Sequence, residues 1–315
     1  MIKIAVTGCA GFIGSQICDK LLQEGYGVVG IDNLSSGVNY TPAQVEFHHV
    51  DVNDNIKDIL AQKEGVIHAS AYAELRHNWH DKSERDKLFA NNEMATRSVL
   101  EQMPNVPIIF LSSGSVYGSI SNGKISDRPL VEEDCSPEFV ESPYAASKLA
   151  CEAYVAAWSH KRQVPWYALR LVNQVGARGH RGVIADFVRM AQQNKHIHAA
   201  DNGKQTKNWV NVKDTVNAIS FLFSSEVPSG IYNITSTERW SWRDIVDIML
   251  KMHKEKYPHL KEDPFKLTHE VRLAGSVGDP INLYVSGEKL KPYFICNSSV
   301  EQAVREALLF LGWTK

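Results

Sequence analysis

The opening stretch of the chain constrains the fold most, because it specifies a strand, a tight turn and a helix in succession. Residues 2–6 (IKIAV) form a short apolar run with β-branched side chains, as is typical of a buried parallel strand. Three evenly spaced glycines follow: Gly8, Gly11 and Gly14. Because they lack Cβ atoms, they allow a tight turn, a close approach to a phosphate and close packing of the next helix. By itself this triplet fits either a nucleotide site or an ordinary strand–turn–helix joint.

The second predicted strand adds an acidic residue at its end. Residues 28–31 are apolar or glycine, and Asp32 follows them directly. At this distance from a glycine turn, a carboxylate accepts hydrogen bonds from an adenosine ribose. A carboxylate there also repels a 2′-phosphate, so the pattern favours NAD over NADP. The alternative is that Asp32 caps a turn or helix.

Composition excludes several classes of partner. The chain has 315 residues and a formal net charge of -2, which gives no electrostatic basis for binding nucleic acid or a membrane surface. The first strand follows Met1 directly and no apolar run approaches ~18 residues, so we expect a cytoplasmic protein without a signal peptide or membrane span. Five cysteines without close spacing indicate reduced thiols, and we predict no metal site, because the paired histidines lack further ligands nearby.

Strands and helices alternate through the first half of the chain. The predicted strands are 2–6, 28–31, 45–49, 65–68, 107–111, 164–171 and 230–234, and the predicted helices are 15–24, 53–62, 88–103, 144–161 and 300–310. This order predicts an α/β fold with a doubly wound parallel Rossmann sheet. We expect residues 1–172 to form the NAD-binding domain, with segments returning within about 205–240. Residues 173–315 should mainly form a smaller mixed α/β lobe that binds substrate.

A tyrosine and a lysine on one predicted helix suggest proton chemistry. Tyr144 and Lys148 are four residues apart, so they share a helix face and can address one point. The unperturbed pKa of a phenol is ~10, and a nearby cation lowers it. We therefore expect Lys148 to lower the pKa of Tyr144 so that it accepts a proton from a hydroxyl during hydride transfer. A pair at this spacing on a helix is also common by chance.

Six motifs occur together in one order along the chain. They are TGCAGFIG (7–14), DNLSSG (32–37), a strand ending in His68 before Ala-Ser-Ala, SSGSVYG (112–118), SPYAASK (142–148) and LRLVNQVG (169–176). This set resembles the extended short-chain dehydrogenase/reductases and, more narrowly, the NAD-dependent sugar-nucleotide epimerase/dehydratase family. The similarity covers nearly the whole chain.

The resemblance implies roles for individual residues. The implied catalytic residues are Ser113, Tyr144 and Lys148. The implied cofactor-binding residues are Gly8, Gly11, Phe12, Ile13, Gly14, Asp32, Asn33, Ser36, Asp51, Val52, Ala69, Ala71, Asn92, Tyr144 and Lys148. The implied substrate-binding residues are Glu74, Arg76, Ser115, Asn173, Lys207 and Arg272. Two positions depart from the family pattern: Lys207 replaces a usual arginine, and Ala95 replaces a usual glycine.

The residues after Ser113 narrow the implied reaction. Family members that perform 4,6-dehydration carry Asp-Glu directly after the catalytic Thr, whereas this chain has Gly114 and Ser115. The neutral pair resembles 4-epimerases, some decarboxylases and some reductases. We therefore expect a 4-epimerase acting on a nucleotide sugar, with a UDP-sugar favoured. The alternatives are a dehydrogenase, reductase or decarboxylase of the same family, or an NAD-binding member without catalysis.

The polar segment 72–87 and the helices predicted over 88–103 and 144–161 each have two interpretations. The polar segment 72–87 either contacts substrate or forms a solvated loop. Family members pair the helices corresponding to 88–103 and 144–161 between subunits, so the resemblance implies a homodimer. The alternative is that the apolar residues of these helices serve only the core of one subunit.

Overall fold

The computed structural model describes residues 1–73, 81–121, 128–194, 196–200, 203–261, 263–270 and 283–314. Across these ranges the central element is a seven-stranded parallel sheet in the order β10-β6-β5-β4-β1-β2-β3. The strands of the chain are β1 Lys3–Thr7, β2 Gly27–Asp32, β3 Glu46–His49, β4 Gly65–His68, β5 Ile108–Ser113, β6 Trp166–Leu171, β7 Asn173–Val175, β8 His196–Ala200, β9 Thr206–Asn211, β10 Gly230–Ile234, β11 Arg239–Ser241 and β12 Lys266–Glu270. The predicted α/β class and parallel sheet are confirmed, and each of the seven predicted strands appears with its ends shifted by at most two residues.

Helices cover both faces of this sheet. They are α1 Phe12–Gln23, α2 Lys57–Leu60, α3 Lys82–Leu88, α4 Ala95–Gln102, α5 Pro143–Arg162, α6 Val183–Asn194, α7 Val212–Ser224, α8 Trp242–Lys256 and α9 Val300–Phe310. Successive residues of β1 enter opposite cores: Ile4 packs in the cluster with α1 and α7, and Ala5 packs in the cluster with α4 and α5. This alternation explains why the strands are apolar on both faces.

The helix predicted over 15–24 begins three residues earlier, at Phe12, and two other predicted helices differ more strongly from the observed ones. The helix predicted over 53–62 is wrong in extent: Asn53 N–H bonds to Asp51 and Ile56 N–H to the Gln102 side chain, so only Lys57–Leu60 is helical. The helix predicted over 88–103 instead begins at Lys82, where the Asp81 carboxylate accepts from Ser83 and Glu84 N–H groups. It then passes through a π-helical turn at Phe89–Met94 before α4.

A second core lies among the later elements. β7, β9 and β11 form a mixed three-stranded sheet, and β8 pairs with β12. Phe187, Met249 and Val304, from α6, α8 and α9, are buried together in this second core. β10 returns to the edge of the central sheet. The boundary at residue 172 and the assignment of the second core to substrate binding stay predictions.

No helix within the described ranges is both long enough and apolar enough to cross a membrane. The same residues contain no group of three His, Cys, Asp or Glu side chains that could hold a metal ion. All five cysteines are free thiols, three of them buried.

Candidate functional site

A cleft of about 460 Å³ opens where β1, β2, β3 and β4 end. Nine of the predicted cofactor-binding residues line it: Gly8, Gly11, Asp32, Asn33, Ser36, Asp51, Val52, Ala69 and Ala71. The carboxyl ends of parallel strands are where ligands of doubly wound sheets bind. The residues that are scattered over the first 71 positions of the sequence therefore meet at one edge of the sheet.

The backbone around Gly8 and Gly14 leaves no space for a Cβ atom. Gly8 has φ +71°, and a Cβ there would lie 2.7 Å from the Ser70 nitrogen. A Cβ on Gly14 would overlap the Gly8 carbonyl, whereas one on Gly11 would meet only that carbonyl oxygen, at 3.5 Å. Gly14 therefore sets the packing of α1, and Gly11 keeps the cleft open. The N-terminus of α1 has no side-chain cap and no acidic residue in its first turn, which suits an anion.

Two carboxylates are held in place on the far side of the cleft. Asp32 accepts hydrogen bonds from Ala10 N–H at 3.0 Å and from Leu34 N–H at 2.8 Å. Asp51 accepts from the Asn33 side-chain amide at 2.6 Å. Each carboxylate oxygen has two lone pairs, so these bonds fix the groups and leave acceptor capacity for ligand hydroxyls.

The predicted catalytic residues lie one strand further along the sheet. Ser113 ends β5, next to β4, and its side chain lies close enough to the Tyr144 hydroxyl to lower the pKa of that phenol. Ser142 caps α5 by accepting from Ala145 N–H at 3.1 Å, with Pro143 in the first turn. This start places both Tyr144 and Lys148 on the buried face of α5. The structure therefore places the implied catalytic residues Ser113 and Tyr144 beside each other.

The side chain of Lys148 is buried between α5, which carries it, and the central sheet. Its Nζ donates to the Leu111 carbonyl at 2.8 Å and lies 4.7 Å from the centre of the Phe110 ring. Burial lowers the pKa of Lys148 to about 8, although Cys151 and Glu152 oppose that shift. The backbone carbonyl and the ring face thus replace only part of the hydration that an ammonium loses.

The expectation that Lys148 lowers the pKa of Tyr144 is wrong for this structure. Burial raises the pKa of Tyr144 to about 12, and the nearby Ser113 side chain only partly opposes this rise. Lys148 Nζ lies 5.9 Å from the Tyr144 ring centre and bonds to a carbonyl instead. Desolvation of the phenolate therefore outweighs attraction to the ammonium.

The buried ammonium of Lys148 leads to a stability prediction. Its folded-state pKa of about 8 lies below the ordinary value of 10.5, so below pH 8 the folded protein carries the full cost of burying the charge. We expect Lys148→Met to raise the free energy of unfolding at pH 7 by about 1–3 kcal/mol. Between pH 8 and 10.5 wild-type Lys148 loses its proton when folded, so the difference should shrink. Urea unfolding at pH 7 and pH 10 measures both values.

The control for that prediction is Lys161→Met, an exposed lysine on the same helix. It should leave the unfolding free energy nearly unchanged at both pH values. If Lys148→Met is less stable than wild type at pH 7, the bond to Leu111 outweighs the burial cost and the pKa direction is wrong.

Other predicted residues occupy supporting or separate positions. Asn92, in the π-helical turn, accepts from Tyr72 N–H at 2.8 Å and donates to Ser147 Oγ at 3.0 Å, which ties this turn to α5. Phe12 and Asn173 line a separate pocket of about 120 Å³ beside the cleft. Ile13 and Gly14 lie in the first turn of α1.

The predicted substrate-binding residues are only partly described. Ser115 is 5% exposed, and its buried Oγ has no hydrogen-bond partner among the described residues. Asn173 donates to the Asn208 carbonyl at 3.0 Å, and Lys207 is buried on β9 with its Nζ 5.9 Å from the Trp242 ring centre. Glu74, Arg76 and Arg272 lie outside the described residues.

Some cleft residues were not predicted from the sequence. Tyr72, Lys87, Asn91 and Arg181 also line the cleft, and Arg181 donates to the Ser36 carbonyl at 3.1 Å. Arg181 belongs to the Gly- and Arg-rich stretch 176–182, whose composition was a usable signal. Lys87 ends the polar segment 72–87, part of which forms α3 rather than a loop.

Comparisons with known proteins agree with this geometry. The sequence profile of the "NAD dependent epimerase/dehydratase family" matches residues 4–235. The chain is 31% identical over 262 residues to a putative UDP-glucose 4-epimerase of Methanocaldococcus jannaschii, covering 78% of this chain and 81% of the relative. It is 31% identical to the UDP-glucose 4-epimerase of Mycolicibacterium smegmatis, covering 69% and 72%. The structure of the Thermus thermophilus UDP-glucose 4-epimerase complex with NAD is similar in fold, with a TM-score of 0.82, 23% identity and 99% coverage of both chains.

Proposed function

We propose a reaction for this chain from one premise: it belongs to the NAD-dependent epimerase/dehydratase family. Its cofactor is NAD. We infer that it interconverts nucleotide sugars that differ at C4, by transient oxidation of that carbon. The observation that carries this proposal is that Ser113 lies beside the Tyr144 hydroxyl, with Lys148 Nζ 5.9 Å from the Tyr144 ring centre and the uncharged residues Gly114 and Ser115 directly after Ser113.

The residues of the cleft fit NAD. A Cβ on Gly11 would enter the cleft, so the glycine leaves room for a pyrophosphate beside the N-terminus of α1. Asp32 is held by two backbone N–H groups and would accept from the adenosine ribose, while Asn33 and Ser36 line the same end. Asp51 and Val52 would border the adenine. Tyr144 and Lys148 would meet the nicotinamide ribose.

The chain's own groups handle the proton. Tyr144 takes the proton of the sugar C4 hydroxyl, and Ser113 hydrogen-bonds the same oxygen. Bound NAD supplies the hydride acceptor and donor at C4. Because burial raises the pKa of Tyr144 to about 12 and Lys148 Nζ donates to the Leu111 carbonyl, the proposed role of Tyr144 requires the ammonium to move closer to the phenol in the loaded site, where its charge would lower that pKa. Tyr144 then returns the proton after the 4-keto sugar has rotated and received hydride on its other face.

Epimerisation requires no further acid or base, which distinguishes it from dehydration. Elimination of water from the sugar needs a second proton-transfer pair, and Gly114 and Ser115 cannot ionise at neutral pH. The same trio also serves net oxidation or decarboxylation, so those reactions remain the second candidate. Both named relatives at 31% identity favour epimerisation of UDP-glucose.

The substrate is proposed to extend from Ser113 toward the second core. Ser115 offers a buried hydroxyl directly after the catalytic strand, and within the described part of the chain this hydroxyl has no hydrogen-bond partner. Asn173 and Lys207 lie on adjacent strands of the smaller sheet, where they would meet the nucleotide and its diphosphate. Glu74, Arg76 and Arg272 remain proposals for the same substrate.

Two measurements test the proposed reaction. Protein purified without added cofactor is denatured, and the released nucleotide is identified by mass spectrometry and absorbance. Intact protein is then incubated with a panel of UDP-hexoses and UDP-uronates. Bound NAD with conversion to the C4 epimer and no net NADH supports the proposal. Turnover only with stoichiometric NADH overturns it in favour of a dehydrogenase or decarboxylase.

We also propose a homodimer through the predicted helices 88–103 and 144–161. Three large apolar side chains are exposed there: Phe89, Met94 and Tyr154. α4 and α5 pack against each other, so the exposed parts of the two helices are neighbours. Val99 and Met103, by contrast, pack within the subunit's own core.

A charge at Met94 should therefore disrupt the dimer. We expect Met94→Glu to elute as a monomer, while wild type and the control Leu260→Glu elute as dimers in size-exclusion chromatography with light scattering. Burying a carboxylate without a partner is unfavourable in an apolar interface. Leu260 is similarly exposed but lies after α8. A dimeric Met94→Glu variant would contradict this interface.

A further inference from the structure

A buried ion pair lies directly behind the catalytic turn of α5. Glu152 and Arg170 have side chains only 2% and 3% exposed, and Arg170 Nη2 donates to Glu152 Oε2 at 2.9 Å. Arg170 Nε also donates to Glu152 Oε1 at 3.0 Å. The two contacts form a fork that fixes the orientation of both planar groups. Such a pair costs desolvation free energy, so its presence calls for a reason other than stability.

The carboxylate of Glu152 also reaches the catalytic strand. Ser112 Oγ donates to Glu152 Oε1 at 2.5 Å, and Ser112 directly precedes Ser113. Glu152 lies one helical turn after Lys148 on α5. One carboxylate therefore joins the helix that carries Tyr144 and Lys148 to the strand that carries Ser113.

Arg170 extends the connection to the segment after Ser113. It lies on β6, opposite Ser112 on β5. Its Nη1 donates to the Glu132 carbonyl at 2.8 Å and to the Tyr117 hydroxyl at 3.3 Å, and Tyr117 donates in turn to Asn233 on β10 at 2.7 Å. The guanidinium thus ties α5 and β5 to the segment that follows the catalytic strand.

We propose that Glu152 and Arg170 are positioning residues, which hold Tyr144 and Lys148 on α5 at the distance from Ser113 that proton transfer requires. The proposal rests on the proposed function for its effect on turnover. Its geometric basis, the forked pair bonded to both catalytic elements, is independent of which sugar reacts. A misplacement of about 1 Å at a catalytic group costs on the order of a hundredfold in rate.

The charge of Glu152 gives the positioning role an electrostatic signature. The titratable groups around Lys148 are Tyr144, Cys151 and Glu152 on α5 and His68 on β4. Glu152 raises the pKa of Lys148 against the larger effect of burial. Removing this negative charge should make Lys148 lose its proton at lower pH.

The test compares Glu152→Gln with the control Asp214→Asn. Asp214 is a buried carboxylate on α7 that accepts from Ser298, away from the catalytic helix. NADH binding is followed by nicotinamide fluorescence from pH 6 to 10, since Lys148 would hold the nicotinamide ribose. We expect the alkaline midpoint of binding to fall by about one pH unit in Glu152→Gln and to stay unchanged in Asp214→Asn. This readout needs no sugar, so it is separate from the proposed reaction.

Turnover of the sugar identified by the panel provides the second readout. Glu152→Gln leaves Arg170 without its carboxylate and could unfold the chain, so a second variant is needed. Ser112→Ala keeps the ion pair and removes only the bond from the carboxylate to the catalytic strand. We expect kcat to fall about tenfold or more in Ser112→Ala with an unchanged midpoint of NADH binding. The proposal is overturned if folded Glu152→Gln keeps the wild-type midpoint, or if Ser112→Ala keeps the wild-type kcat.

Discussion

Tyr144→Phe is expected to reduce turnover about a thousandfold while the protein keeps its bound NAD. The substitution removes only the hydroxyl beside Ser113 and leaves the ring in its buried position. Proton transfer to and from the C4 oxygen then lacks its acid and base. Most of the residues proposed to hold NAD line the cleft at the ends of β1, β2, β3 and β4, and the substitution changes none of them. Initial rates with the preferred UDP-sugar and the NAD content of denatured protein give the two measurements.

Tyr154→Phe is the matched control for Tyr144→Phe. Both tyrosines lie on α5, but Tyr154 is 47% exposed. It should retain wild-type turnover. A Tyr144→Phe variant with wild-type turnover would contradict the proposed base and favour an NAD-binding protein without catalysis at this site. A variant that has lost its NAD would show that the hydroxyl serves cofactor binding instead.

The parts of the site that could be predicted from the sequence are those fixed by local geometry. The spacing of Gly8, Gly11 and Gly14 requires a turn after β1, and Asp32, which ends β2, lies beside that turn because β1 and β2 pair in parallel. Tyr144 and Lys148 share a face because the helix repeats every 3.6 residues. These short-range rules account for Gly8, Gly11 and Asp32 in the cleft, whereas the cofactor roles of Asn33, Ser36, Asp51, Val52, Ala69 and Ala71 were implied by the family resemblance.

The remaining features depend on contacts between distant segments. Arg181 reaches Ser36 across 145 positions, and Glu152 meets Arg170 only because β5 and β6 are neighbours. The pKa of Tyr144 moved in the direction opposite to that expected, because its burial depends on the whole sheet and not on the spacing to Lys148. Sequence spacing identifies which groups can meet, but it does not give their desolvation.

Gly14→Ala is expected to produce the largest loss of stability among single-methyl additions in the glycine turn. The added Cβ would overlap the Gly8 carbonyl, and both partners belong to the backbone, so no side chain can move aside. Overpacking of this kind costs typically about 1–3 kcal/mol, and a backbone clash falls at the upper end. Because α1 must shift away from the turn, NAD binding should be lost as well. Urea unfolding of the cofactor-free protein measures the first effect and isothermal titration with NAD the second.

Gly11→Ala separates these two effects and is the matched control. Gly11 has φ -80° and ψ -177°, which alanine adopts without strain, and the new Cβ would be in ordinary contact with the Gly8 oxygen at 3.5 Å. We expect the unfolding free energy to stay within about 1 kcal/mol of wild type, since a compatible glycine-to-alanine change alters it by only 0.4–1 kcal/mol. The methyl group would nevertheless occupy the cleft, so NAD affinity should fall about tenfold or more, which corresponds to about 1.4 kcal/mol. Equal loss of stability in both variants would contradict the distinct roles of the two glycines. It would show that the close approach of the Gly14 and Gly8 backbones does not limit the position of α1.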